Sequence, residues 1–143
     1  MGVSSFMIDR KKEPIRFARE VVGGDPFATF LDMKVEEVRD SYARVSLKIE
    51  DHYCNAERRS HGGVLFSLAD QAFGIAANSR GYLAFGLEMK INYFDPALPG
   101  EVINAEATPM HIGDRVSLWN IELKNDKGNR IALAHGVAYH MPD

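Results

Sequence analysis

Hydrophobic and polar positions alternate through Ala43, Val45, Leu47 and Ile49, with Arg44, Ser46 and Lys48 between them. A period of two predicts a half-buried strand. The rhythm changes at residues 60–79, SHGGVLFSLADQAFGIAANS, a nearly continuous apolar helix that stops near Ser79-Arg80-Gly81, where glycine suits a C-terminal cap. Upstream, residues 14–31 (PIRFAREVVGGDPFATFL) predict one or two short helical segments. Pro14 fits a first helical turn. Gly23-Gly24-Asp25-Pro26 breaks the pattern, and Asp25-Pro26 can open a second segment. Downstream lie four strand-like runs: 83–94, ending at Asp95-Pro96; 101–109; 114–124, closed by the turn signature Asn125-Asp126-Lys127-Gly128; and 130–141. Residues 51–60 read as a polar loop and residues 1–12 as a polar, frayed tail.

The last strand constrains the packing. Ile131, Leu133, Val137 and Tyr139, with His135 among them, face one way, and Ala132, Ala134, Gly136 and Ala138 face the other. A face of small residues lets something bulky lie close, and the helix over 63–77 is the candidate. A helix apolar all round must be enclosed by its surroundings. The expected architecture is therefore α+β, an antiparallel sheet wrapped around one long central helix, in a single domain over residues 1–143. The order helix, two strands, long helix, four strands matches the hotdog fold.

Composition narrows the function classes. At 143 residues, 45% hydrophobic and 26% charged, the chain has the make-up of an ordinary soluble domain. A net charge of −3 gives no general drive toward nucleic acid or anionic lipid. No apolar run is long enough to span a membrane without polar interruption, and the start lacks a signal-peptide core. MGVSSF matches a myristoylation pattern loosely, with Phe6 in place of the usual Ser or Thr. The single cysteine, Cys54, excludes an internal disulfide framework and a cysteine-based zinc cluster. His52, His111, His135 and His140 are scattered without metal-ligand spacing, so no metal site is expected. A cytoplasmic, disulfide-free domain is the expectation.

Two features carry candidate chemistry. His61-Gly62-Gly63 stands at the amino end of the long helix, where backbone N–H groups lack intrahelical partners. Such donors and the helix dipole can stabilise a developing negative oxygen, and glycine lets a carbonyl approach closely. The same triplet also serves simply as a tight entry into a helix. Asp70 is a lone acid in an apolar helix. It is either a structural carboxylate held by Ser67, Gln71 or a backbone N–H, or a chemical one. Asp70 lies eight residues beyond Gly62, about 12 Å along the axis, so one chain cannot bring both to one carbonyl. Two antiparallel helices related by a two-fold axis can, which makes a working site the property of an obligate homodimer. Phe66, Phe73 and Phe85 read as core, and Phe73, near Asp70, is a candidate for lining a substrate pocket.

Asn55, His61-Gly62-Gly63, Leu68-Ala69-Asp70, Ala72-Phe73 and Asn78-Ser79, followed by Ile91-Asn92-Tyr93-Phe94, Pro96, Gly100 and Ala105-Glu106-Ala107, resemble the hotdog acyl-CoA thioesterases of the phenylacetate-degradation type. The likeness covers about residues 30–141. It implies hydrolysis of an acyl-CoA thioester, aromatic or medium-chain, to a carboxylic acid and free coenzyme A, with no metal or redox cofactor. It also implies a dimer that pairs into a homotetramer. In those roles the Gly62 N–H binds the thioester oxygen, and Asp70 is the base for water or the nucleophile. His61 and Asn55 orient the substrate, Gly63 and Phe73 contact it, and Arg58-Arg59 hold the coenzyme A phosphates. A thioester is already activated, so one carboxylate and one oxyanion hole suffice.

One position departs from the pattern. Some relatives hold the attacking water with a Ser or Thr one turn after the acid or on the next strand. Here those places carry Gly74, Gly86 and Glu88, which leaves water positioning unassigned. Two other classes compete: a non-catalytic acyl-CoA-binding or regulatory module, which needs Asp70 to be structural, and an acyl-CoA hydratase or dehydratase, whose paired His and acid motif is not found.

Overall fold

A computed structural model describes residues 7–142; the myristoylation-like start lies outside the described residues. Short helical segments come first, as the proline and glycine punctuation predicts. Helix α1 (Pro14–Arg16) runs into a π-helical turn at Phe17–Val22, and α2 (Pro26–Phe30) follows. The Asp25 side chain caps α2 by accepting the Ala28 N–H at 2.8 Å, and Pro26 sits in its first turn, where no donor is lost. Strands β1 (Lys34–Arg39) and β2 (Tyr42–Lys48) precede the long helix α3 (Gly62–Ala77). Then come β3 (Ala84–Tyr93), β4 (Val102–Ile112), β5 (Val116–Asn125) and β6 (Arg130–His140).

All six strands form one antiparallel sheet in the order β1-β2-β4-β5-β6-β3, with α3 packed against one face. This is the hotdog arrangement. The alternation read in β2 is observed: Ala43, Val45, Leu47 and Ile49 are buried. So is the small face of β6, since Ala132, Ala134, Gly136 and Ala138 all lie under the helix. Phe73 of α3 fills the space they leave. A β-carbon on Gly136 would stand 2.9 Å from its ring, and one on Gly86 of β3 would stand 3.2 Å away. Gly86 and Ala138 are paired in register, with Gly136 opposite Met89, so the two glycines that admit the ring come from neighbouring strands.

Both ends of α3 are tied down. At its carboxyl end Asn78 donates through Nδ2 to the Gly74 and Ala84 carbonyls, and its Oδ1 accepts the Ala84 N–H at 2.9 Å. Ser79 donates to the Ala76 carbonyl and accepts the Ser41 N–H. The Asn-Ser pair in the sequence pattern thus joins the helix to β3 and to the β1–β2 turn.

Three expectations are corrected. Residues 8–12 are not a frayed tail: Ile8 is 2% exposed, and the backbone at Arg10 and Lys11 packs beside Gly81. The buried Ile8 side chain anchors this stretch against the core. Helix α3 is not enclosed by its own chain either. Gly63, Ser67, Asp70 and Gly74, with Gln71 beside them, form a stripe of small and polar residues that the sheet does not cover. Finally, Phe85 is not core; it is 52% exposed on the outer side of β3.

Candidate functional site

The loop before α3 is built on Asn55. Its backbone N–H donates to the Arg59 carbonyl at 2.7 Å, and its Oδ1 accepts the N–H groups of Glu57 and Arg59. Such Asx closures let a short loop reverse direction, and Arg58 takes the left-handed conformation, φ 58°, that the reversal requires. The Asn55 Nδ2 has no partner among the described residues. Arg58 and Arg59 are exposed and make no ion pair among them. Two cavities flank the loop. One of about 340 Å³ is lined by Asn55, Arg59, Gly62, Leu65, Tyr93 and Phe94 among others. The other, of about 250 Å³, is lined by Asp51, Cys54, Asn55, Arg58 and Pro99.

The helix start has one open donor. His61 is the N-cap residue, and its ring Nδ1 accepts the Gly63 N–H at 2.9 Å. The N–H groups of Val64 and Leu65 donate to the His61 carbonyl at 3.0 and 3.4 Å. The Gly62 N–H has no partner among the described residues, and Gly62 faces the larger cavity. His61, expected to orient a substrate, uses its Nδ1 to cap the helix, and Gly63, expected to contact substrate, gives its N–H to that ring. Both glycines answer to packing, because a β-carbon on Gly62 would meet the Tyr93 hydroxyl at 3.2 Å and one on Gly63 would meet His61 Nδ1 at 3.0 Å.

Asp70 stands on the uncovered stripe of α3. It makes no hydrogen bond or ion pair among the described residues. The neighbours that might have held it are engaged elsewhere: Ser67 donates to the Gly63 carbonyl at 2.7 Å, and Gln71 donates to the Val22 carbonyl at 2.9 Å. The structural-carboxylate alternative therefore has no partner among the described residues. Crowding by the surrounding protein disfavours the ionised form, and the like charge of Asp25 adds to it, so the carboxyl is pushed above the usual aspartate range. Phe73, expected to line a substrate pocket, is 2% exposed and packs against Gly86 and Gly136, and it lines none of the cavities described. Tyr93 carried no role in the sequence reading, yet its hydroxyl donates to the Gly62 carbonyl at 2.9 Å. Nothing in the linear pattern marks a contact between residues so far apart.

Among the described residues no group of His, Cys, Asp and Glu could hold a metal ion, and no helix is long and apolar enough to cross a membrane. His140 is buried, and its Nε2 lies 2.7 Å from the Ser117 hydroxyl, which also accepts the Trp119 indole N–H. It is a satisfied core histidine.

The fold and the helix-start geometry define a hotdog protein of the thioesterase kind. The family model described as "Thioesterase superfamily" matches residues 60–132, from the loop before α3 into β6. The chain belongs to the thioesterase superfamily. A protein of Archaeoglobus fulgidus, named only as an unproven esterase, is 38% identical over 117 residues, 82% of this chain and 76% of its own. The acyl-coenzyme A thioesterase PaaI of Escherichia coli is 29% identical over 124 residues, 87% of this chain and 89% of that one. The solved structure of the E. coli PaaI protein from the phenylacetic acid degradation operon superposes with a TM-score of 0.87 at 27% identity, covering 92% of this chain and 96% of that chain.

Proposed function

We propose that the protein is an acyl-CoA thioesterase that hydrolyses its substrate to a carboxylic acid and free coenzyme A, working in the cytoplasm on aromatic, phenylacetyl-type, or medium-chain acyl groups. The observation that carries this reading is the pairing of one open donor, the Gly62 N–H, with one unpartnered carboxylate, Asp70, on the same helix. The likeness to PaaI supports the substrate class. In the proposed mechanism the Gly62 N–H, helped by the helix dipole, stabilises the thioester oxygen as it becomes negative. Asp70 of the partner subunit either takes a proton from the attacking water or attacks the carbonyl itself, forming an anhydride that water then opens. Either route expels the thiolate of coenzyme A. The unengaged Asn55 Nδ2 is the group that helps orient the thioester, at the border of the cavity. Arg58 and Arg59 offer unpaired cations to the phosphates of coenzyme A.

The dimer follows from the axial distance of about 12 Å between Gly62 and Asp70. The ten-residue edge strand β3 supports it, because its outer edge is unpaired and it exposes Phe85 and Leu87, at 52% and 63%. Two copies joined along β3 would bring the uncovered stripes of their α3 helices together. Val116 and Leu118, exposed on the outer face of the sheet, support a further pairing into a homotetramer.

Thiol release from a panel of acyl-CoAs, read beside Asp70→Asn, tests the reading. The unaltered protein is expected to release thiol from several of them, and the variant to keep its fold and lose nearly all turnover. Thiol release within a few-fold of the unaltered protein would remove Asp70 from the chemistry. Tight acyl-CoA binding without release by either protein would favour a binding module.

A further inference from the structure

The Gly62–Gly63 peptide is gripped at both ends. Its carbonyl accepts the Tyr93 hydroxyl at 2.9 Å, and its N–H donates to His61 Nδ1 at 2.9 Å. A peptide unit is planar, so bonds on its oxygen and its hydrogen fix the plane. That matters here because the two residues it joins are glycines, whose backbone otherwise ranges widely. The Gly62 N–H lies in the preceding peptide plane, whose His61 carbonyl accepts the Val64 and Leu65 N–H groups, and with the planes on both sides of Gly62 held its N–H has one direction. The remaining first-turn donors are consumed by His61. Tyr93 also presses on Gly62 through its ring, since a β-carbon there would sit 3.3 Å from the ring carbon that bears the hydroxyl.

We propose that Tyr93 is a positioning residue for the oxyanion donor: its hydroxyl, through the Gly62 carbonyl, aims the Gly62 N–H at the position where the thioester oxygen develops charge. This rests on the reading of Gly62 as that donor. The hydroxyl proton goes to the Gly62 carbonyl, so Tyr93 acts through Gly62 rather than on the substrate. Burial raises the Tyr93 pKa further above neutrality, which keeps it a donor through the working range. His61 completes the grip from the other side and needs Nδ1 unprotonated, with the proton on Nε2. Preorganised donors are worth most when they need not reorient during reaction, and a hydrogen bond from an edge strand to a helix start supplies that rigidity.

The test uses Tyr93→Phe, which keeps the ring and removes only the hydroxyl. One readout is turnover: kcat is expected to fall about tenfold, a fraction of what one oxyanion donor is worth, with KM and the melting temperature little changed. The second is the infrared carbonyl stretch of a bound acyl-CoA analogue in which CH2 replaces the thioester sulfur, the ketone carbon being 13C-labelled. In the unaltered protein the stretch is expected below its value in water, and in Tyr93→Phe it returns toward that value. A lowered stretch that the variant leaves unchanged would overturn the role of Tyr93 alone. A stretch not lowered in the unaltered protein would overturn the Gly62 reading and the role of Tyr93 with it. A variant that melts early and loses binding, with kcat preserved, would make Tyr93 a structural residue and overturn the proposal.

Discussion

At Asp70 two effects act in the same direction. Crowding removes water from the ionised form, and Asp25 repels it, so the carboxyl titrates above the usual aspartate range. The consequence for stability has a definite sign. Between the ordinary aspartate pKa of about 3.9 and the raised value, the folded chain keeps a proton that the unfolded chain has lost. Stability therefore falls as pH rises through that window and stays lower above it. Asparagine does not titrate. Asp70→Asn is thus expected to melt above the unaltered protein at pH 7 to 8, with the difference closing as the pH approaches about 4. Thermal denaturation across that range checks it, and a variant that melts lower at neutral pH would mean that the ionised acid makes a stabilising contact after all. The same shift predicts that hydrolysis rises with pH through the raised pKa, because the carboxylate is the active form. Asp70 and Gly62 were legible in the sequence because a lone acid and a glycine pair stand out from an apolar background. The capping role of His61 was not. It depends on which way a ring turns, and a spacing rule carries no such information.

At the scale of elements, the strands with one covered face were the readable ones. β2 alternates because the helix covers one side of it, and β6 shows a small face because Phe73 needs room there. β3 gave no comparable signal. Its sequence AFGLEMKINY is mixed because one edge is free, one face is open and a bulge between Gly86 and Glu88 breaks its alternation. The partner of Phe73 was also hidden. Gly86 and Gly136 lie fifty positions apart, and only the β3–β6 register brings them under one ring. Gly136→Ala tests that packing. Its methyl would enter a space where the ring already stands 2.9 Å from the β-carbon position, so a loss of about 1–3 kcal/mol is expected, the usual range for overpacking. Urea denaturation measures it, and an unchanged midpoint would show that the ring has room to move.

For the whole molecule, the proposed shared site makes an unusual arithmetic available. Gly62→Pro removes the donor, and the local backbone suits it: Gly62 is the first helical residue, and His61, at φ −58° and ψ 137°, has the conformation a following proline favours. The Tyr93 hydroxyl must yield a few tenths of an ångström. Alone, this variant is expected to lose about 100-fold or more in turnover, and Asp70→Asn to be inactive. Mixed and allowed to exchange subunits, half the dimers carry one of each. One of their two sites then pairs an intact Gly62 with an intact Asp70, so about a quarter of all sites should work. A mixture that stays inactive after exchange has been verified by native mass spectrometry would overturn the shared site. The single sheet and its helix were legible because each shows in one chain's pattern. The uncovered stripe Gly63-Ser67-Asp70-Gly74 passes for part of an enclosed helix, because a few small and polar residues do not stand out in an otherwise apolar run.

The ties at the two ends of α3 meet on one strand. Asn78 fastens the carboxyl end of the helix to Ala84, where β3 begins, and Tyr93, where β3 ends, hooks the amino end at Gly62. Helix and strand, about 24 Å and 33 Å long, are the limbs of a closed frame, like a bow and its string. In an ordinary edge strand, a residue gained or lost slides into the nearest loop. In this frame the string has a set length, with the bulge at Leu87 as its slack, and a change of one residue moves the hook off the helix start. The aim of a single amide is thus written into the length of the strand that ties both ends of the helix.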